Sequence, residues 1–162
     1  MKGVHYALRR IHDGESDLVL ELSRVAARQR VDHEIHHVAR DLANWSREHV
    51  RLIADFAQKV DLDLDGEAND PTPLATALRE AMSSAMGRRP EPGLLLLHDL
   101  EQIYVRASEN SLRWEELAQV AQAKKMPDLL ELATRCHPQN LRQVRWANTM
   151  IKTHSPQILA SL

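Results

Sequence analysis

The stretch DHEIHHVARDLANWSREHVRLIADFAQKV, residues 32–60, has the clearest long helical pattern in the chain. Apolar residues recur along it at intervals of three and four, the spacing that places side chains on one face of an α-helix. They are Ile35, Val38, Leu42, Trp45, Leu52, Ile53 and Phe56. His49 falls on the same face, so the pattern predicts that a polar side chain able to bind metals points at a packing partner.

The composition favours helix over sheet. Hydrophobic residues make up 43% of the 162 residues, aromatic residues only 4%, and there are 5 glycines. A chain of this length suits one domain with a single core. We therefore expect an all-α protein in which residues 1–162 form one helical-bundle domain.

Charge and cysteine content exclude several classes of protein. The net charge is −2 and no basic run occurs, which argues against binding to nucleic acid or to an anionic membrane surface. The single cysteine, Cys136, cannot form an internal disulfide and fits a reducing compartment. The first residues lack the apolar core of a signal peptide, and the longest apolar run, 93–97, is too short to span a bilayer. We expect a soluble, cytoplasmic protein.

The rest of the chain predicts three further long helices, giving two hairpins. A first helix from about Val4 to Arg30 precedes the quoted stretch, and the two form a hairpin over about 4–60, with Glu15 on the apolar seam of the first helix. Residues 61–92 are rich in Asp, Gly and Pro and predict a long crossover, with a short extra helix from Leu74 to Met86.

The second hairpin covers about 93–154. A very long helix is predicted from about Gly93 to Lys124, apolar on more than one side, followed by a short turn and a helix from Pro127 to about Thr153. Pro138 inside this last helix is predicted to kink or split it, and Pro156 to end it.

Four polar residues lie in matching places in the two hairpins. Glu15 and His49 are separated along the first hairpin by nearly the same distance as Glu101 and His137 along the second. With this pattern the chain resembles the ferritin-like superfamily, in the manner of rubrerythrin and bacterioferritin, across essentially its whole length. The resemblance implies an up-down four-helix bundle with a long crossover between helices two and three. It also implies a metal site of Glu15, His49, Glu101 and His137 in the bundle core, suited to iron, manganese or zinc.

The chain departs from the superfamily pattern at two positions. Where Glu precedes each His by three residues in that pattern, this chain has Ser46 and Thr134. Two adjacent metal ions need several anionic ligands to offset their mutual repulsion, so a full di-iron centre is not expected. The leading hypothesis is a binding or scaffold module that forms a homodimer through the broad apolar surface of the third helix.

Other interpretations remain open at this stage. The protein could be a metalloprotein or oxidoreductase with a reduced Glu/His site, or a regulatory module that binds a small ligand in the bundle core. His49 could instead be a core histidine bonded to Glu15 or Ser46. A second cluster, His33, His36 and His37, contains an i, i+4 pair able to bind a metal, but it points away from the buried face, which favours a solvated surface or a dimer contact.

Overall fold

The computed structural model describes residues 1–68 and 91–162, which form four α-helices and no strand. They are α1 (Lys2–Arg28), α2 (His33–Gln58), α3 (Pro92–Ala123) and α4 (Pro127–Ala160). The predicted all-α class with four long helices is confirmed. The predicted extra helix 74–86 and most of the predicted crossover lie outside the described residues.

The helix boundaries follow local signals in the sequence. Asp32 caps the start of α2, where its carboxylate accepts a hydrogen bond of 3.1 Å from the backbone N–H of Ile35. Pro127 occupies the first turn of α4, where its missing N–H costs nothing. The short turn between α3 and α4 contains Lys125 in the left-handed region, at φ 55°. These capping and turn positions agree with the boundaries predicted from the sequence to within a few residues.

Cross-helix contacts define the direction of each helix. Along α1 and α3, Arg10 pairs with Glu116 and Arg28 pairs with Asp99, so residue numbers rise in one helix as they fall in the other. α2 returns along α1, because its end lies at the start of α1, where His5 donates a 2.8 Å hydrogen bond to the carbonyl of Val60. α2 and α3 are therefore both antiparallel to α1.

The remaining pair, α2 and α4, is also antiparallel. Lys59 near the end of α2 lies 3.8 Å from Asp128 at the start of α4, while His49, one third of the way back along α2, contacts Gln139. α2 and α4 contact each other less extensively than α1 and α2 or α3 and α4 do. The four helices thus enclose one interior that all of them line.

α4 corrects the prediction for Pro156 and excludes one of the two outcomes predicted for Pro138. α4 is helical throughout Pro127–Ala160, so Pro138 does not split it and Pro156 does not end it. Around Pro138, the buried residues Cys136 and Asn140 hold the helix in the core despite the lost backbone hydrogen bond. Beyond Pro156, Ile158 packs closely against Gly93 of α3, and this contact stabilises a further turn that proline alone would disfavour.

The hydrophobic core is divided into two clusters along the bundle. One cluster surrounds Leu8, Ile53 and Leu117, and the other surrounds Leu22, Ile35 and Ile103. Between them, polar side chains from the middle of each helix are withdrawn from solvent. The buried polar side chains therefore lie halfway along the bundle, between the two hydrophobic clusters.

Candidate functional site

The candidate site is a layer of buried polar residues between the two hydrophobic clusters. Its fully buried members include one or more side chains from every helix. They are Glu15 on α1, Ser46 and His49 on α2, Asn110 on α3, and Asn140 and Gln143 on α4. Buried polar groups need hydrogen-bond partners, so the geometry of this layer decides whether it serves the fold or holds a ligand.

Four residues, one from each helix, form the centre of the layer. Glu15 Oε1 accepts a 2.8 Å hydrogen bond from the indole N–H of Trp114. The same oxygen lies 3.2 Å from Nδ1 of His49, within ion-pair distance when the imidazole is protonated. On the other side of the ring, Nε2 of His49 donates to Oε1 of Gln139 at 2.8 Å. The imidazole is therefore held between α1 and α4.

Trp114 also fixes the orientation of the histidine ring. The indole and imidazole ring centres are 5.8 Å apart and the rings are inclined by 84°, an edge-to-face arrangement. Burial disfavours the charged form of His49, but the Glu15 carboxylate and the bond to Gln139 outweigh it and raise the pKa of the imidazole. The Glu15 carboxylate thus favours the protonated, positively charged form of the buried His49.

A second set of hydrogen bonds lies one turn away. The Gln143 amide donates to the hydroxyl of Ser46 at 2.8 Å and to the backbone carbonyl of Leu42 at 3.0 Å. Asn140 donates to the carbonyl of Ala107 at 3.1 Å. Ser46 occupies the position at which the ferritin-like pattern has a glutamate, and here it is an uncharged link between α2 and α4.

The four residues predicted to bind metal do not converge. Glu15 and His49 come together as described, but Glu101 is exposed on the outer side of α3. His137 is half-buried and its Nε2 lies 2.9 Å from the hydroxyl of Ser111, within the α3–α4 pair. Leu100 and Ile103 define the buried face of α3, and Glu101 falls outside it.

These residues do not fit a dinuclear metal site. Within residues 1–68 and 91–162, no group of three or more His, Cys, Asp or Glu side chains lies close enough together to hold a metal ion. The remaining neighbours of the Glu15–His49 pair, Trp114 and Gln139, are an N–H donor and a neutral amide. Such partners satisfy a carboxylate and an imidazole but do not supply the anionic ligands that two metal ions require.

Four buried atoms in the layer have no hydrogen-bond partner among the described residues. They are Oε2 of Glu15, Nδ1 of His49, Nδ2 of Asn110 and Oδ1 of Asn140. Asn110 lies against Gly14, and the contact is so close that a Cβ at position 14 would overlap Asn110 and the guanidinium of Arg113. Gly14 therefore allows α1 and α3 to approach each other at the polar layer.

The sequence pattern predicts that Glu15 and His49 lie on the inner faces of their helices, and they do. It does not predict their hydrogen-bond partners, Trp114 and Gln139. The sequence predicts Trp114 to be a packing residue and does not single out the amides of α4. The apolar face that it predicts for α4 carries Leu130, Ala133, Leu141, Val144 and Ile151, of which Ala133 is buried and the other four are only half-buried. The buried face carries Cys136, Asn140, Gln143, Ala147 and Met150 instead. These residues follow the i, i+4, i+7 spacing of a buried helical face. The pattern is hard to see in the sequence because two of them, Asn140 and Gln143, are polar.

The second histidine cluster lies at the start of α2, on the surface. His33 and His37 are exposed, and their rings are stacked with centres 6.3 Å apart. His36 is half-buried and its Nδ1–H donates a 2.7 Å hydrogen bond to the carbonyl of Ala26. The prediction that this cluster points away from the core is confirmed.

Comparison with models of known protein families, with curated proteins and with solved structures finds no match for this chain. The fold and site define it as an all-α, four-helix protein with a polar layer across the middle of its core. None of the four helices combines the length and the apolar character needed to cross a bilayer.

Proposed function

We propose that this protein is a ferritin-like helical bundle that lacks a di-iron centre and acts as a binding or scaffold module. The observation that carries the proposal is the occupation of the bundle centre. Trp114 and Gln139, which are an N–H donor and a neutral amide and not metal-binding carboxylates, each form one hydrogen bond with the Glu15–His49 pair. These four side chains come from all four helices, and their contacts fix how the helices pack together.

The helix directions support the ferritin-like assignment. In that architecture the second and third helices run in the same direction and a long crossover joins them. Here α2 ends beside the start of α1, and α3 begins beside its end, where Asp99 pairs with Arg28 at 2.7 Å. We propose that the stretch of about 61–92 provides the corresponding crossover.

Metal analysis tests the proposed function. The tag-free protein is incubated anaerobically with ferrous iron, desalted, and analysed for iron content and for oxygen consumption on exposure to air. We expect less than one iron per chain and no oxygen consumption above that of Glu15→Gln, which removes the carboxylate charge. Two iron ions per chain, lost in Glu15→Gln together with oxygen consumption, would overturn the proposal.

An exposed apolar stripe on α3 supports the proposal that the module is a homodimer. Leu94, Val105 and Leu112 are exposed, and they lie on one side of the helix because 18 residues complete five turns. The stripe is about 27 Å long at a rise of 1.5 Å per residue. A second copy of α3 packed along it would bury these side chains from both subunits.

Sedimentation equilibrium tests the dimer. We expect the wild-type protein to dimerise and Leu112→Lys to shift the equilibrium toward monomer by at least about tenfold. Val31→Lys is the matched control, because Val31 is 94% exposed at the turn between α1 and α2, away from the stripe. A wild-type monomer, or equal weakening by both substitutions, would contradict this interface.

A further inference from the structure

A groove on the outer surface of the α1–α2 hairpin is lined by cationic side chains. It has a volume of about 640 Å³, within the range of small-molecule sites. One part of the lining consists of small side chains of α1, namely Ser23, Ala26 and Ala27. Another part consists of longer side chains of α2. The groove lies on the side of α2 opposite its buried face, so it is separate from the polar layer.

Three arginines line the groove and no acidic residue does so among the described residues. Arg30 and Arg40 have no ion-pair partner in the described part of the chain, whereas Arg28 and Arg51 pair with Asp or Glu. Arg51, for example, pairs with both Glu48 and Asp55 on the same helix. Among the described residues, therefore, no carboxylate lines the groove beside these arginines.

The third arginine is held in place without losing its charge. Arg47 donates hydrogen bonds of 2.8 Å to Asn44 and 3.1 Å to the hydroxyl of Ser23. Both acceptors are neutral, so they orient the guanidinium but do not neutralise it. A guanidinium fixed in this way offers its remaining N–H groups to an anion at a reduced entropic cost.

The histidine cluster completes the same surface. Because a carbonyl can only accept, Nδ1 of His36 donates to Ala26, and Nε2 of this ring can donate to an anion only when the imidazole is protonated. His33 and His37 stack beside it with an interplanar angle of 14°.

We propose that this groove binds a small anion that carries more than one phosphate group. Phosphate provides several acceptor oxygens and up to two negative charges per group, which suits three guanidinium groups and adjacent imidazoles. A singly charged carboxylate would leave most of the positive charge unpaired. The inference deepens the proposed binding role by naming a ligand class, and it uses none of the residues in the polar layer.

Calorimetric titration with inorganic pyrophosphate at low ionic strength tests the proposal on the tag-free protein. We expect saturable binding, weakened about tenfold or more by Arg40→Gln and by Arg47→Gln. Arg9→Gln is the matched control, because Arg9 is exposed on α1, outside the groove, and has no ion pair among the described residues. This control should bind pyrophosphate within about twofold of the wild-type protein.

Two results would overturn the proposal. One is the absence of saturable binding, and the other is equal weakening by Arg9→Gln and Arg40→Gln, which would show a general effect of net charge. A flotation assay with phosphatidylcholine vesicles, with and without phosphatidylserine, separates a free ligand from a lipid headgroup. Vesicle binding that pyrophosphate does not displace would assign the groove to a membrane surface and contradict a small free ligand.

The same experiment distinguishes failure of this inference from failure of the proposed function. Iron content is measured on Arg40→Gln alongside the wild-type protein. A groove that binds no pyrophosphate in a protein without a di-iron centre would overturn the ligand class alone. A di-iron centre in a protein whose groove binds pyrophosphate would overturn the proposed function alone.

Discussion

The carboxylate of Glu15 and the imidazole of His49 lie 3.2 Å apart, and both side chains are withdrawn from solvent. Two charges buried together gain mutual attraction but lose hydration, so such a pair contributes to stability only when its other polar atoms are satisfied. Trp114 bonds to one Glu15 oxygen and Gln139 bonds to Nε2 of His49, at 2.8 Å each, while Oε2 of Glu15 has no partner among the described residues. The pair therefore links the stability of the bundle to the protonation of one histidine.

The stability of the protein should decrease as the pH rises above neutrality. Although burial disfavours the charged imidazole, Glu15 and Gln139 raise the pKa of His49 above its ordinary value. A group whose pKa is higher in the folded state contributes fully below the unfolded-state pKa, about 6.5, and loses this contribution as the pH passes the folded-state pKa. Urea unfolding across this range should show the loss.

Two variants and one spectroscopic measurement isolate His49. His49→Gln should flatten the pH dependence, whereas His98→Gln, at an exposed position on α3, should leave it unchanged. Histidine proton resonances followed by NMR should give a midpoint for His49 above the ordinary histidine pKa of about 6.5. A midpoint at or below that value would show that burial dominates over the Glu15 charge.

Removing the indole N–H of Trp114 should destabilise the protein. Trp114→Phe leaves Glu15 without its 2.8 Å donor, and an unsatisfied buried carboxylate costs about 1–3 kcal/mol or more. Trp146→Phe is a matched comparison, because the buried Nε1 of Trp146 has no partner among the described residues. Trp146→Phe should therefore lower the free energy of unfolding by less than Trp114→Phe does.

A double-mutant cycle separates this hydrogen bond from lost packing. The cost of Trp114→Phe is measured in the wild-type protein and again in Glu15→Gln, which lacks the carboxylate charge. We expect a smaller cost in the second background. Equal costs would mean that Trp114 acts through packing alone.

Gly14→Ala should destabilise the protein even though alanine is the better helix former. A Cβ at this position would overlap Asn110, which is fully buried and has little room to move, and the guanidinium of Arg113. Separating α1 and α3 to relieve such a contact costs about 1–3 kcal/mol. Gly3→Ala is the control, because no atom lies within 4 Å of a Cβ there. Thermal unfolding of the two variants should therefore shift in different directions, or only Gly14→Ala should shift.

Cys136 should be unreactive in the folded protein. Burial, with a smaller effect of the Glu15 charge, raises the pKa of its thiol to about 12. The thiolate is the reactive form, so modification by a chromogenic disulfide reagent at neutral pH should require unfolding. Titration in the presence and absence of denaturant measures this directly. Rapid, stoichiometric labelling without denaturant would show that this part of α4 opens readily.

Much of the local structure was predictable from the sequence because it depends on nearby residues. Asp32 caps α2, Pro127 begins α4, and Glu15 and His49 occupy the inner faces of their helices, all as the spacing predicts. Prediction failed where distant contacts override a local preference. Pro156 lies inside α4, because Ile158 beyond it packs on Gly93, which is far away in the chain.

The sequence by itself determined the four helices and the inward direction of Glu15 and His49, since helical periodicity fixes where a side chain lies around its own axis. Only the tertiary structure decided which partners these residues meet. The rotation and axial shift of α3 and α4 bring Trp114 and Gln139 to the centre and leave Glu101 exposed. These quantities depend on how all four helices pack together, and a single-helix pattern does not contain them.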